Sequence, residues 1–157
     1  MRVAYLHGLE APHKTVKNEY LSETFEFVYD PPMNYKDPDL FKTVLQGVQE
    51  HKIDLIIGSS MGGYFAHRIS TLTGIPVLLF NPAVVGRSFQ PVVPKIGELH
   101  ADHTIIIGKQ DTVILPVLSL DYFEEWGANP KDIYIEQEME HRTPLDVFKK
   151  YVNNFVK

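Results

Sequence analysis

Ser60, Asp111 and His141 are the residue types that nucleophilic acyl transfer needs, and they stand far apart in a chain of 157 residues. A serine hydroxyl is a weak nucleophile until a base removes its proton. Histidine titrates near neutrality, so His141 can take that proton and later return it to a leaving group. A buried carboxylate at Asp111 would hold the imidazole in one tautomer and stabilise the imidazolium. Ser60 sits inside Gly58-Ser59-Ser60-Met61-Gly62, which fits the G-x-S-x-G pattern of a sharp turn between a strand and a helix. Glycines on both sides permit the strained backbone that projects the serine. Ser59 does not fit this register, because its upstream partner would be Ile57.

The elements around these residues must hold them on one edge. Ile53 to Ile57 reads as a buried strand, and the stretch after Met61 carries Phe65, Ala66, Ile69 and Leu72 at helical spacing. Further strands are expected at 2–6, 25–29, 76–80, 103–107 and 132–136. Helices are expected at 14–23, after Pro38-Asp39, over 118–126 and after Pro144. Val16, Tyr20 and Leu21 would form the apolar face of the first helix. Strands alternating with helices predict one domain over 1–157: a three-layer α/β sandwich, with a mostly parallel central sheet and helices on both faces. The irregular, Pro- and Gly-containing stretch from Ala83 to His100 reads as a lid or minimal cap.

In such a sheet ligands gather at the carboxyl ends of strands, and Ser60, Asp111 and His141 all fall there. Asp54, Asp102 and Asp132 precede their strands and belong to the opposite edge. His51 and His67 read as surface residues, and His100-Ala101-Asp102-His103 reads as a solvated turn rather than a metal site. His7 and His13 lie near the functional edge and rival His141, although His7, directly before Gly8, suits a loop that binds an oxyanion. The oxyanion hole would use the backbone N–H groups of Met61, at a helix start, and Leu9.

Composition narrows the partners. A net charge of -5 argues against a nucleic-acid surface. No apolar run approaches a membrane span and no signal peptide is visible. With no cysteine there is no disulfide framework, and a cytoplasmic protein is expected. Nothing calls for a cofactor or metal.

The residues resemble a known family at several places. Tyr5-Leu6-His7-Gly8, Gly58 to Tyr64, Leu79-Phe80-Asn81-Pro82-Ala83-Val84, Gly108 to Val113 and His141-Arg142 resemble segments of the small YqiA-type esterases of the α/β-hydrolase superfamily. The chain order Ser, Asp, His is also that superfamily's order. The resemblance implies a serine esterase with Ser60, Asp111 and His141 as its triad. Leu9-Glu10-Ala11-Pro12 departs from the family's small hydroxyl residues, and Glu10 is expected to turn outward.

These readings predict a cofactor-independent serine hydrolase acting on a small-molecule acyl substrate, an ester or thioester. Pocket candidates are Met33, Tyr35, Val84, Val85, Phe89, Val113 and Ile114, each of which could equally be core packing. Amide or carbon–carbon hydrolysis on the same triad, and ligand binding without turnover, stay open as alternatives.

Overall fold

Arg2–Leu6 forms strand β1 in the computed structural model, which describes residues 1–9, 11–12 and 14–156. The expectations for Glu10 and His13 lie outside the described residues. Strands β2 (Phe27–Tyr29), β3 (Leu55–Ser59), β4 (Val77–Phe80), β5 (His103–Gly108) and β6 (Ile133–Glu136) complete the sheet in the order β2-β1-β3-β4-β5-β6. Every pairing is parallel, which tightens the expectation of a mostly parallel sheet. Central strands of such a sheet are covered on both faces and read as continuous apolar runs, as Ile56-Ile57 and Ile105-Ile106-Ile107 do.

Two helical layers provide the cover. Helices α2 (Leu40–Glu50), α3 (Met61–Thr73) and α4 (Pro116–Trp126) pack on the face that carries Leu6, Ile56, Leu79 and Ile105. Helices α1 (Val16–Thr24) and α5 (Leu145–Val152) pack on the face that carries Tyr5, Ile57, Phe80 and Ile106. In α2 the apolar residues Leu40, Phe41, Val44 and Val48 recur at helical period and are all buried. Helix α1 starts at a capping box, in which the Thr15 N–H donates to Asn18 Oδ1 at 2.8 Å and Thr15 Oγ1 accepts from Lys17 N–H. Gly74 and Gly127, both with positive φ, stop α3 and α4. Among the described residues no helix is long and apolar enough to cross a membrane.

Register aligns the carboxyl ends of the strands. Leu6 pairs with Gly58, Ser59 with Phe80, Phe80 with Ile106, and Gly108 with Glu136. The loops after β1, β3, β4, β5 and β6 therefore leave the sheet in one row.

Several local expectations need correction. Val16 opens α1 and is exposed rather than inward, and Leu72 on α3 is 37% exposed. His67 is wholly buried, and His103 is buried too. The reason is α4, whose Tyr122, Phe123 and Trp126 pack on His67 and whose Trp126 packs on His103, together with the connection from β4 to β5. Instead of a helix that connection is an irregular strap along the outer side of α3. Gly97 N–H donates to Thr71 Oγ1 at 3.0 Å, Leu99 N–H donates to the Thr71 carbonyl at 3.0 Å, and an Arg68 guanidinium N–H donates to the Pro94 carbonyl. Arg87 lies 4.0 Å from the centre of the Tyr64 ring. With strap and α4 over it, α3 has lost the solvent face that an amphipathic helix normally keeps.

Candidate active site

Ser60 is the single residue between β3 and α3, with φ 52° and ψ -118°. A non-glycine residue in such a conformation costs about 1–3 kcal/mol and persists only where its surroundings over-determine it. Here the surroundings are explicit. Ser60 N–H donates to the Phe80 carbonyl at 3.0 Å, and the Ser60 carbonyl accepts from Ala83 N–H at 2.9 Å and from Tyr64 N–H at 3.1 Å. The turn is also crowded in a way only glycine allows. A Cβ on Gly62 would stand 1.9 Å from the Leu6 carbonyl oxygen, and one on Gly58 would stand 2.6 Å from the Gly62 oxygen. Gly8 brings the loop after β1 against the serine, since a Cβ there would lie 3.1 Å from Ser60 Cβ.

The other two groups arrive on loops after β5 and β6. Ser60 Oγ lies 2.9 Å from His141 Nε2, and His141 Nδ1 lies 2.8 Å from Asp111 Oδ2. Asp111 is oriented by its own loop: Oδ1 accepts from Val113 N–H at 2.8 Å and from Ile114 N–H at 2.9 Å. That leaves Oδ2 for the imidazole. The carboxylate side chain is 1% exposed and the imidazole 25% exposed, so the carboxylate is sealed while the imidazole stays reachable. Because a carboxylate only accepts, His141 carries its proton on Nδ1 and turns the Nε2 lone pair toward the serine hydroxyl. The three residues singled out from sequence thus form one continuous hydrogen-bonded relay.

The rival His7 makes other bonds. Its Nδ1 donates to the Gly8 carbonyl at 2.9 Å, and its own carbonyl accepts from the Tyr35 hydroxyl. Tyr35, named as a pocket candidate, thereby holds the loop that carries Leu9. Met61 is the first residue of α3, where amide N–H groups have no intrahelical acceptor. Of the other pocket candidates, Met33 and Val84 are buried in the core on the α3 side, and Val85 and Phe89 are half-buried against it. Ile114 is buried beneath the acid loop, whereas Val113 is 61% exposed at its tip. Asp54 bonds the Arg2 N–H at the amino edge of the sheet, away from the relay.

Sequence reasoning did not assign a role to Asn81. It is 2% exposed at the end of β4 and makes three side-chain bonds to the loops that carry Asp111 and His141. The signal available was an Asn-Pro pair ending a buried strand, a place where asparagine tolerates positive φ.

Residues 2–127 match the model of UPF0227, an uncharacterised protein family; the matched segment contains Ser60, Asn81 and Asp111 and ends before His141. Among curated proteins none matches the chain. Solved structures of similar fold include MGS-MChE2, an alpha/beta hydrolase enzyme from a sediment metagenome of the Mar Chica lagoon, Morocco. It has a TM-score of 0.73 at 14% identity, over 98% of this chain and 89% of that one. Mouse alpha/beta hydrolase domain-containing protein 10 aligns with a TM-score of 0.73 at 12% identity, over 98% and 88%. The Paleococcus ferrophilus monoacylglycerol lipase aligns with a TM-score of 0.69 at 14% identity, over 98% and 93%. At these identities the likeness establishes the α/β-hydrolase fold.

Proposed function

The chain belongs to the YqiA-like UPF0227 family, and from that premise we propose that it is a serine hydrolase cleaving small carboxylic esters or thioesters. One observation carries the reading: the relay Ser60 Oγ, His141 Nε2, His141 Nδ1, Asp111 Oδ2, with both contacts under 3 Å. As Oγ attacks the substrate carbonyl carbon, its proton passes to His141 Nε2. The carbonyl oxygen becomes an oxyanion held by the amides of Met61 and Leu9, aided by the positive end of α3. Collapse expels the alkoxide or thiolate, which takes the proton from His141. Water, deprotonated by the same imidazole, then releases the acid from the acyl-enzyme and restores the serine. Asp111 stays ionised throughout and stabilises the imidazolium.

The test is covalent labelling with a fluorophosphonate probe, alongside a screen of ester, thioester and amide substrates. Wild type should label at Ser60 and turn over an ester or thioester. Ser60→Ala should stay folded, fail to label and lose on the order of 10⁶ in kcat. Ser59→Ala should retain labelling. Labelling that survives in Ser60→Ala would move the nucleophile elsewhere, and turnover confined to amides would overturn the substrate class.

A further inference from the structure

Ser60, Asp111 and His141 belong to three different loops, and something must fix those loops against one another. The segment from Phe80 to Ala83 meets all three. Phe80 and Ala83 hold the backbone of Ser60, while Asn81 between them reaches the other two loops. Its Oδ1 accepts from Gly108 N–H at 2.7 Å, three residues before Asp111. Its Nδ2 donates to the carbonyls of Glu140 and His141, each at 2.9 Å. Its backbone N–H donates to the Ile106 carbonyl at 2.9 Å.

We propose that Asn81 is a positioning residue, whose amide sets the acid loop and the histidine loop so that His141 bridges Ser60 and Asp111. The inference rests on the serine-hydrolase reading above and adds to it the residue that holds the relay's geometry. The choice of side chain follows from the bonds. One acceptor and two donors are required in one short planar group, and an amide offers both. An aspartate at 81 would keep the acceptor but turn a second oxygen toward two carbonyl oxygens. The backbone adds a further restriction, since Asn81 has φ 42° and only glycine, asparagine and aspartate enter that region readily. The loops being joined already approach backbone to backbone. A Cβ on Gly108 would stand 2.4 Å from the Met139 oxygen, and Gln110 N–H donates to that oxygen at 3.0 Å. Those contacts join the acid loop to the histidine loop, and Asn81 joins the pair to the serine.

The decisive variant is Asn81→Gly, which deletes the amide and relieves rather than adds backbone strain. Val44→Ala, in the α2 core away from the site, serves as a control whose melting temperature falls without touching any of the three loops. Two readouts are taken: steady-state kinetics, and the far-downfield proton resonance of His141 Nδ1–H bonded to Asp111, which needs no turnover. Asn81→Gly should lower kcat by about 10²-fold with KM nearly unchanged, the effect of misplacing reacting groups by about an ångström. It should also lose or broaden the downfield resonance, while Val44→Ala keeps both. If Asn81→Gly does not fold, the isosteric Asn81→Asp is read in the same way. Retention of the resonance and of kcat within threefold in the folded variant overturns the proposal. Should wild type show neither turnover nor labelling, the hydrolase reading fails, and the resonance alone still decides the role of Asn81.

Discussion

His67 Nδ1 lies 2.9 Å from His103 Nε2, with Trp126 packed against both rings. The protons in this pair can be assigned by following the chain of bonds. The Ala101 carbonyl can only accept, so His103 carries its proton on Nδ1, 2.8 Å away. His103 Nε2 is then the acceptor and His67 Nδ1 the donor. His67 Nε2, with its lone pair free, accepts from the Tyr122 hydroxyl at 2.9 Å. Every bond is satisfied with both imidazoles neutral; a proton added at His103 Nε2 would set two N–H groups facing each other, and one added at His67 Nε2 would make the Tyr122 hydroxyl turn from donor to acceptor.

Acid should therefore act through this pair. Burial first, then His103 and Arg68, lower the His67 pKa from 6.5 to about 3; burial also lowers that of His103, against the opposing pull of Asp102 and the Ala101 carbonyl. The unfolded chain binds more protons than the native one between those limits. The contribution of His67 to stability is thus intact above about pH 6.5 and is lost progressively as pH falls toward about 3. Each such proton contributes a slope of at most about 1.4 kcal/mol per pH unit. Urea unfolding of wild type and His67→Gln across this range should show a shallower pH slope in the variant. Superimposable slopes would mean that the imidazole is not held neutral.

Asp111→Asn should cost about 10⁴ in kcat without unfolding the protein, and the loop geometry says why. Val113 and Ile114 N–H groups demand an acceptor at Oδ1, so the amide oxygen would take that position. The NH₂ group would then face His141 Nδ1, which must become the acceptor. The imidazole proton moves to Nε2 and points at Ser60, leaving no base for the hydroxyl. Kinetics at fixed pH with melting curves check this, and activity within tenfold of wild type would contradict it.

Gly62→Ala should be among the most damaging single-methyl changes. Its Cβ would stand 1.9 Å from the Leu6 oxygen, 2.4 Å from the Leu6 carbonyl carbon and 2.7 Å from the His7 oxygen, all backbone atoms of the central sheet edge. Neither side can yield as a flexible side chain could. Overpacking of this kind typically costs about 1–3 kcal/mol or more, readable as a lowered urea midpoint. Gly86→Ala has no neighbour in its way and carries only the strain of φ 64°, about 1–2 kcal/mol, so it should be the milder of the two. The reverse ranking would refute the packing argument.

Acyl length should have an early optimum. Met33, Tyr35 and Val84 are already close-packed in the core, and the strap beyond Phe89 runs along α3 rather than building a deep acyl tunnel. Each acyl CH₂ adds roughly 0.8 kcal/mol to binding only while it leaves water. For p-nitrophenyl esters, kcat/KM should climb over the first few carbons and then level off. Trimming half-buried Phe89→Ala should move the optimum to longer chains. A wild-type optimum on long-chain esters would contradict this.

How much of this could be read from the chain depended on the range of the interaction. The elbow was legible because strand, turn and helix are local, and the glycines that permit Ser60 sit within two residues of it. Asp111 and His141 were legible as residues following strands, since parallel topology sends those ends to one edge. Asn81 was not, because its side-chain partners lie 27, 59 and 60 residues away. His67 was misjudged for a similar reason. Its position on α3 says nothing of Tyr122, Phe123 and Trp126, which close over it from α4. Val16 failed differently: α1 is short and its first residue faces outward regardless of its apolar side chain.

Ser60 and His141 are 81 residues apart, and β6, the strand that delivers the histidine, follows the other five described strands in the chain. On a ribosome Ser60 therefore emerges long before His141, its hydrogen-bond partner. During that interval the elbow can form against β1 and β4, yet its hydroxyl remains an ordinary alcohol. Parallel pairings, which need a crossover between the strands, close more slowly than local contacts. On the proposed reading, reactivity toward acyl groups appears only when β6 docks on β5 and swings the histidine loop under Asn81.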